Sequence, residues 1–143
     1  TQEAQAIAQV HRRPEPRIEE GQTLRHAGIR CAMDVSDGLI ADLSKMCRAS
    51  GVGARIYSDR VPLHPALNGI RPEVATQLAL GGGEDYELLF AGPPHLVEQV
   101  VKELGRGAVI GEINIRTEKT VTVMDPRGNE LSVLNPGWEH LRK

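Results

Sequence analysis

The stretch Met33-Asp34-Val35-Ser36-Asp37-Gly38-Leu39 joins an apolar run to an amphipathic run, and this junction decides the fold. The run that leads into it, residues 29–35, is short and apolar and predicts a strand. In the run that leads out of it, apolar residues recur on one face of a helix that ends at Gly51, with Ser36 or Asp37 as its N-cap. A strand that ends in a turn and opens a helix gathers backbone N–H groups and side-chain oxygens at one spot.

The side chains of this junction indicate its chemistry. Asp34 and Ser36 point to the same side of a strand, and Asp37 follows at the start of the helix, so that the three can approach one another. Carboxylate oxygens suit Mg²⁺, the N-terminus of a helix suits phosphate, and Gly38 has no Cβ to keep a ligand away. We therefore predict a site for a metal ion and a nucleotide phosphate. The alternative is plain helix capping, with the other acid solvated.

The remaining segments predict alternating helices and strands. Further helices are expected at residues 3–11, 20–27, 73–80 and 93–104, and further strands at residues 54–57, 86–91, 108–115, 120–124 and 130–134. The last two strands flank Asp125-Pro126-Arg127-Gly128, whose proline and glycine positions predict a type I turn. Crossovers and a hairpin in one chain predict an α+β fold, in which helices pack on a mixed, largely antiparallel sheet.

The first 17 residues differ in character from the rest of the chain. We expect residues 1–17 to be an N-terminal helix and the stiff Arg/Pro connector Arg13-Pro14-Glu15-Pro16-Arg17, and residues 18–143 to be a single domain. The alternative role for the basic connector is to grip phosphate. The chain begins with Thr1 rather than Met, which indicates a fragment of a longer protein or a processed terminus.

Composition narrows the class of protein. The chain has 143 residues, of which 40% are hydrophobic, and this is enough for one domain with one core. A net charge of −2 indicates no nucleic-acid partner. No apolar run approaches the roughly 20 residues that a membrane span needs, and the first residues do not have the pattern of a signal peptide. We therefore expect a cytoplasmic protein with neither a nucleic-acid nor a membrane partner.

A second polar stretch, Gly81-Gly82-Gly83-Glu84-Asp85-Tyr86-Glu87, follows the helix predicted at residues 73–80. A phosphate-binding P-loop would continue with Gly-Lys-Ser/Thr, whereas three acids follow the glycines here. The stretch therefore predicts an oxygen-rich patch that accepts hydrogen-bond donors or a cation. The alternative is a flexible helix-to-strand connection whose acids are simply exposed.

The third candidate is Trp138, the only tryptophan in a chain with 3% aromatic residues. A single tryptophan near a terminus is typical of a core plug that pins the tail. Its ring can also stack on a flat heterocycle, especially a cationic one.

These stretches together resemble the C-terminal half of the thiamine-monophosphate kinase family, whose superfamily includes aminoimidazole ribonucleotide synthetase and selenophosphate synthetase. The Ser-Asp-Gly-Leu motif at residues 36–39 is shared across that superfamily. The Gly-Gly-Glu-Asp-Tyr-Glu-Leu motif at residues 82–88 and the Gly-Trp tail at residues 137–138 are specific to the thiamine kinase branch. The other matching motifs are Arg13-Pro14-Glu15-Pro16-Arg17, Ser50-Gly51-Val52-Gly53-Ala54 and Ile110-Gly111-Glu112-Ile113.

The resemblance implies a reaction and a set of contacts. The γ-phosphoryl group of ATP would pass to the phosphate of thiamine monophosphate and give thiamine diphosphate, with Mg²⁺ present because both reactants are anionic. The implied roles are metal binding by Asp34 and Asp37, contact with ATP by Ser36, and contact with substrate by Glu84 or Asp85 and by Trp138. No residue is assigned as a catalytic base, since a phosphate monoester is an adequate nucleophile once its charge is neutralised.

In the family that the chain resembles, an N-terminal domain supplies further acidic metal ligands and mediates dimerisation. That half is absent from these 143 residues. We therefore expect the chain to be inactive as an isolated fragment, and to form a homodimer when joined to the missing domain. Two other interpretations stay open, namely a related superfamily enzyme with a different acceptor and a non-catalytic ligand-binding or dimerisation module.

Overall fold

The computed structural model describes residue 8 and residues 12–137, except the side chains of residues 66 and 68. The helices of this part are α1 (Ile18–His26), α2 (Leu39–Ser50), α3 (Pro72–Gly81) and α4 (Pro94–Leu104). The strands are β1 (Cys31–Asp34), β2 (Gly53–Tyr57), β3 (Leu88–Ala91), β4 (Gly111–Asn114) and β5 (Val121–Met124). Short 3₁₀ helices at Ser58–Arg60 and Pro65–Gly69 lie between β2 and α3. The helix expected at residues 3–11 lies, apart from residue 8, outside the described residues.

The helix boundaries follow from local chemistry. α2 ends where Gly51 adopts a φ of 68°, and α4 ends where Gly105 adopts a φ of 63°. Glycine takes this left-handed conformation without the steric cost of a Cβ. Pro72 and Pro94 stand in the first turns of α3 and α4, where the missing N–H of proline costs no hydrogen bond. No helix in the described part is long and apolar enough to cross a membrane.

The described strands form two sheets, whereas the sequence pattern indicates a single sheet. β1 and β3 pair antiparallel, with Cys31 opposite Ala91 and Asp34 opposite Leu88. β2 is the middle strand of the second sheet and lies antiparallel to β4 and parallel to β5. The expected α+β fold with mixed, largely antiparallel pairing is therefore confirmed, and the division into two sheets is the correction.

One hydrophobic core joins the two sheets. It combines Leu39, Ile40, Leu43 and Cys47 from α2 with Val35 and Leu89 at the first sheet and Ala54, Ile56 and Val123 from the second. Because the apolar face of α2 packs on both sheets, they share a core although no described ladder connects them. A smaller cluster of Leu24, Ile29 and Val100 packs α1 against α4.

The turn predicted after β5 is formed. The Gly128 N–H donates to the Asp125 carbonyl oxygen at 3.0 Å, which closes the turn. The Asp125 carboxylate also accepts hydrogen bonds from the N–H groups of Arg127 and Asn129, at 2.9 and 2.8 Å. These bonds to the charged form keep the pKa of Asp125 below its ordinary value.

The strand expected at residues 130–134 is not formed, and this prediction was wrong. The hairpin ladder is short: Met124 and Glu130 form a bridge, and the Leu131 N–H donates to the Val123 carbonyl oxygen at 2.7 Å. Beyond it, the Gln77 side chain on α3 takes the place of a neighbouring strand. Its amide donates to the Ser132 carbonyl oxygen and accepts from the Leu134 N–H, each at 3.0 Å. The tail therefore runs along α3 towards the junction between β1 and α2.

Candidate functional site

The junction between β1 and α2 places its polar side chains at or near the surface. Asp34 ends β1 and is exposed, whereas Ser36 and Asp37 are half-buried. Gly38 precedes α2 at a φ of 129°, and no side chain caps the helix. The prediction that Ser36 or Asp37 is the N-cap is therefore wrong. Gly38 is the residue at the N-cap position instead, and its backbone has a conformation that a residue with a Cβ rarely adopts.

Asp42, a residue that the sequence analysis missed, holds this junction in place. Its side chain is fully buried on the apolar face of α2. One carboxylate oxygen accepts hydrogen bonds from the N–H groups of Ser36 and Asp37, at 2.8 and 2.9 Å. The other accepts a hydrogen bond from the Lys45 ammonium at 2.8 Å. Two amides of the junction, where the sequence predicted a phosphate site, therefore bind a carboxylate of the protein itself.

These contacts stabilise the charged form of Asp42. Burial by itself would raise the pKa of Asp42, but the hydrogen bonds from Lys45 and from the Asp37 and Ser36 amides outweigh it and lower this pKa. The Lys45 ammonium also forms an ion pair with the Asp37 carboxylate. Its hydrogen bonds to Asp37 and Asp42 raise the pKa of Lys45. Asp42 and Asp37 therefore share one ammonium group.

The second polar stretch lies directly against the junction. The Glu84 N–H donates to the Ser36 carbonyl oxygen at 2.7 Å, and the Tyr86 N–H donates to the Val35 carbonyl oxygen at 2.8 Å. A Cβ added to Gly83 would lie 2.7 Å from the Ser36 carbonyl oxygen. Only glycine allows so close an approach of two backbones. The structure thus brings together two stretches that are nearly 50 residues apart in the sequence.

The backbone of this second stretch is strained. Glu84 has a φ of 67° and Tyr86 a φ of 50°, which are left-handed conformations that cost energy for residues with a Cβ. Both residues are held by the hydrogen bonds from their N–H groups to the junction. Residues in such conformations are concentrated at ligand sites, where the surrounding structure imposes them.

The C-terminal tail reaches the same place. A Cβ added to Gly81 would fall 1.6 Å from the Asn135 carbonyl oxygen, so the tail packs directly on the end of α3. A Cβ added to Gly137 would lie 2.7 Å from the Asp37 carbonyl oxygen. Trp138 is the next residue, and it lies outside the described residues. Its predicted contact with substrate stays a prediction.

An open cleft of about 1680 Å³ runs beside these segments. Among the predicted site residues, Ser36, Asp37, Glu84 and Asp85 line it, together with Tyr86. Asp34 does not line this cleft, although it is exposed at the end of β1. Four of the predicted side chains therefore share one cavity, and the first aspartate of the junction stands outside it.

The Arg/Pro connector is tied to this region through Glu87. The Arg17 guanidinium donates to both carboxylate oxygens of Glu87, at 3.0 and 2.8 Å. Arg106 approaches the same carboxylate at 3.3 Å. Since Arg17 also pairs with Glu20, its charge is already balanced by acids of the protein. This arrangement supports the interpretation of a structural connector over that of a phosphate grip.

The acidic residues offer only part of a metal site. In the described part of the chain, no group of three or more His, Cys, Asp or Glu side chains is placed to hold a metal ion. Mg²⁺ is commonly held by one or two carboxylates, with phosphate oxygens and water completing its shell. Asp37 lines the cleft and Asp34 does not, so the metal-binding role expected of these two carboxylates stays a prediction.

The chain belongs to the family described as AIR synthase related protein, C-terminal domain, whose model matches residues 2–124. Within that class it is similar to thiamine-monophosphate kinases. It is 44% identical over 108 residues to the thiamine-monophosphate kinase of Escherichia coli (strain K12). The matched segment covers 75% of this chain and 30% of that protein. The chain thus spans about a third of the length of the curated relatives that it matches.

Two solved structures extend this similarity to the fold. The thiamine-monophosphate kinase of Stenotrophomonas maltophilia K279a has a TM-score of 0.68 and 35% identity, over 78% of this chain and 36% of that chain. AaThiL complexed with AMPPCP and TMP has a TM-score of 0.73 and 29% identity, over 97% of this chain and 42% of that chain. Nearly the whole of this chain therefore corresponds to one part of a longer protein.

Proposed function

We propose that this chain is the C-terminal part of a thiamine-monophosphate kinase, which transfers the γ-phosphoryl group of ATP to thiamine monophosphate and gives thiamine diphosphate. The observation that carries the proposal is the contact between the junction at residues 34–38 and the stretch at residues 83–87. Residues 35–37 of the junction and the whole of the second stretch line a cleft large enough for a nucleotide and a second ligand. The similarity to thiamine-monophosphate kinases, one of them complexed with AMPPCP and TMP, supports the same choice.

The residues of the junction would bind the phosphates. Asp37 lines the cleft and Asp34 is exposed at the end of β1, three residues earlier in the chain, and these two carboxylates would hold Mg²⁺ that arrives with the nucleotide. Bound Mg²⁺ would neutralise charge on the transferred phosphoryl group. The Ser36 hydroxyl would contact the ATP phosphates, because the Ser36 amide is already occupied by Asp42.

The second stretch and the tail would bind the thiamine moiety. The acids Glu84 and Asp85 are exposed in the cleft and suit a cationic ligand. Trp138 follows the tail that packs on the junction, and its ring would stack on the substrate. The chemistry needs no catalytic base, since the work of the protein is to position two anionic phosphates and neutralise them.

The remaining parts of the protein would come from outside this chain. The relatives are about three times as long, and the additional domain would supply further metal ligands and mediate homodimerisation. The kinase would act in the cytoplasm. We therefore expect the 143-residue chain to form no thiamine diphosphate when it is assayed alone with ATP and Mg²⁺. Formation of thiamine diphosphate by this chain alone would contradict the proposal that the additional domain is needed for activity.

Calorimetry of this chain tests the binding roles. AMPPCP should bind more tightly with Mg²⁺ than without it, and Asp37→Asn should weaken this binding about tenfold, as expected for the loss of a charged ligand. Asp59→Asn is the matched control, because Asp59 is exposed on a 3₁₀ helix outside the cleft. Equal effects of the two substitutions would refute the assignment of Asp37. Binding of thiamine monophosphate that is the same with and without Mg²⁺–AMPPCP would favour a non-catalytic binding module.

A further inference from the structure

Lys45 occupies an unusual position for a lysine on a surface helix. Its ammonium lies between two carboxylates, at 2.8 Å from Asp42 and in an ion pair with Asp37. The lysine side chain is 48% exposed, whereas that of Asp37 is 14% exposed and that of Asp42 is fully buried. One cation thus reaches in from solvent and pairs with two acids that are largely withdrawn from solvent.

The two acids differ in what else they bind. Asp42 is committed to the protein, because its second oxygen holds the amides of Ser36 and Asp37. Its buried charge needs a permanent partner, since an unpaired buried carboxylate is costly. Asp37 lines the cleft and can meet a ligand there. Lys45 can therefore stay with Asp42 when Asp37 turns to another cation.

We propose that Lys45 is the resident counter-cation of this site. The lysine holds Asp37 until a divalent cation bound to nucleotide replaces the lysine there, while Asp42 keeps both Lys45 and the turn in position. This inference rests on the proposed role of Asp37 in metal binding. Lys45 and Asp42 are positioning residues, because they act through Asp37.

The proposal requires opposite effects from two neighbouring substitutions. Lys45→Met removes the competing charge and its repulsion of a divalent cation, so binding of Mn²⁺ should become about fivefold tighter. Asp42→Asn removes the negative charge that also holds the lysine and one of the two acceptor oxygens, so Lys45 should hold Asp37 more firmly and binding should weaken by a similar factor. Both variants should unfold more easily than the wild type. A purely structural role would instead weaken binding in both.

The experiment measures free Mn²⁺ by electron paramagnetic resonance during titration of the chain in the presence of AMPPCP. Lys45→Arg should behave as the wild type because the charge is kept. Lys102→Met is the matched control, since Lys102 is exposed on α4 and away from the cleft. Urea unfolding of each variant shows whether it is folded under the conditions of the titration.

The possible outcomes separate this inference from the proposed function. Tighter Mn²⁺ binding by Lys45→Met than by Lys102→Met supports the inference. Unchanged or weaker binding by Lys45→Met, while the wild type binds Mn²⁺ with AMPPCP, overturns the inference and leaves the proposed function standing. Failure of the folded wild type to bind Mn²⁺ with AMPPCP overturns both.

Discussion

Replacement of Gly83 by alanine tests the close contact between the two polar stretches. The added Cβ would lie 2.7 Å from the Ser36 carbonyl oxygen and 3.3 Å from the carbonyl carbon of Asp37. The first distance is about 0.7 Å shorter than the 3.4 Å at which ordinary contact begins. Both atoms belong to the backbone, so neither can rotate away as the end of a flexible side chain could. The two stretches must therefore move apart.

The size of the effect follows from what this movement disrupts. The hydrogen bond from the Glu84 N–H to the Ser36 carbonyl oxygen, now 2.7 Å, would lengthen, and the loss of such a bond costs about 1 kcal/mol. Forcing a methyl group into a packed contact costs about 1–3 kcal/mol. We therefore expect Gly83→Ala to lower the free energy of unfolding by about 2–3 kcal/mol. Binding of Mn²⁺ with AMPPCP should weaken roughly tenfold, because Asp37 moves with Ser36.

Urea unfolding followed by circular dichroism measures the change in stability. Gly69→Ala is the matched control, because a Cβ at Gly69 would meet no atom within 4 Å. It carries the same change in the entropy of the unfolded chain, so the difference between the two variants isolates the clash. If Gly83→Ala unfolds within about 0.5 kcal/mol of Gly69→Ala, the inferred contact does not constrain the site and the reasoning is wrong.

Three further predictions concern the same region. Acid should destabilise the protein through Asp42. Burial alone would raise the pKa of Asp42, but hydrogen bonds hold this pKa below the unfolded value of about 3.9. The contribution of Asp42 to the free energy of unfolding is therefore complete above that pH and is lost as the pH falls through the folded pKa. Asp42→Asn should flatten the fall in unfolding free energy between about pH 5 and pH 2, and an unchanged slope would speak against this. Glu84→Gly should raise the free energy of unfolding in urea by about 0.5–1 kcal/mol, because glycine relieves the strain at a φ of 67°. The same variant should bind thiamine monophosphate more weakly in calorimetry. A variant less stable than the wild type would contradict the assigned strain. Glu87→Gln should lower the free energy of unfolding by about 1 kcal/mol at low salt, because it breaks the two-point contact with Arg17, and by clearly less in 1 M NaCl. Thermal unfolding measures both losses, and equal losses at the two salt concentrations would exclude an electrostatic origin.

Much of the local structure could be predicted from neighbouring residues. The apolar periodicity after Gly38 and the glycine at position 51 predicted the extent of α2, because both act within a few residues. The turn at Asp125 was predicted for the same reason. The missing strand at residues 130–134 could not be foreseen, because the side chain of Gln77, more than 50 residues away, satisfies that backbone instead.

In the candidate site, too, some features follow from neighbouring residues and others from the packing of distant segments. Its polar stretches were recognisable, and a signal for Asp42 was present, since a carboxylate beside Leu43 on the apolar face of a helix needs buried donors. Which donors it finds could not be predicted from the sequence, and the N-terminus of the helix was expected to bind phosphate instead.

The sequence by itself determined the described helices, the strands before residue 125, the family that the chain resembles and the residues that could bind a cation or a phosphate. Only the tertiary structure decided that Asp37 lines the cleft while Asp34 stands outside it, and that Lys45 pairs with both Asp37 and Asp42. The physical reason is that helix and turn formation depend on dihedral angles and hydrogen bonds between near neighbours. The pairing of charges and the approach of glycine backbones depend instead on how distant segments pack, and no local pattern contains that information.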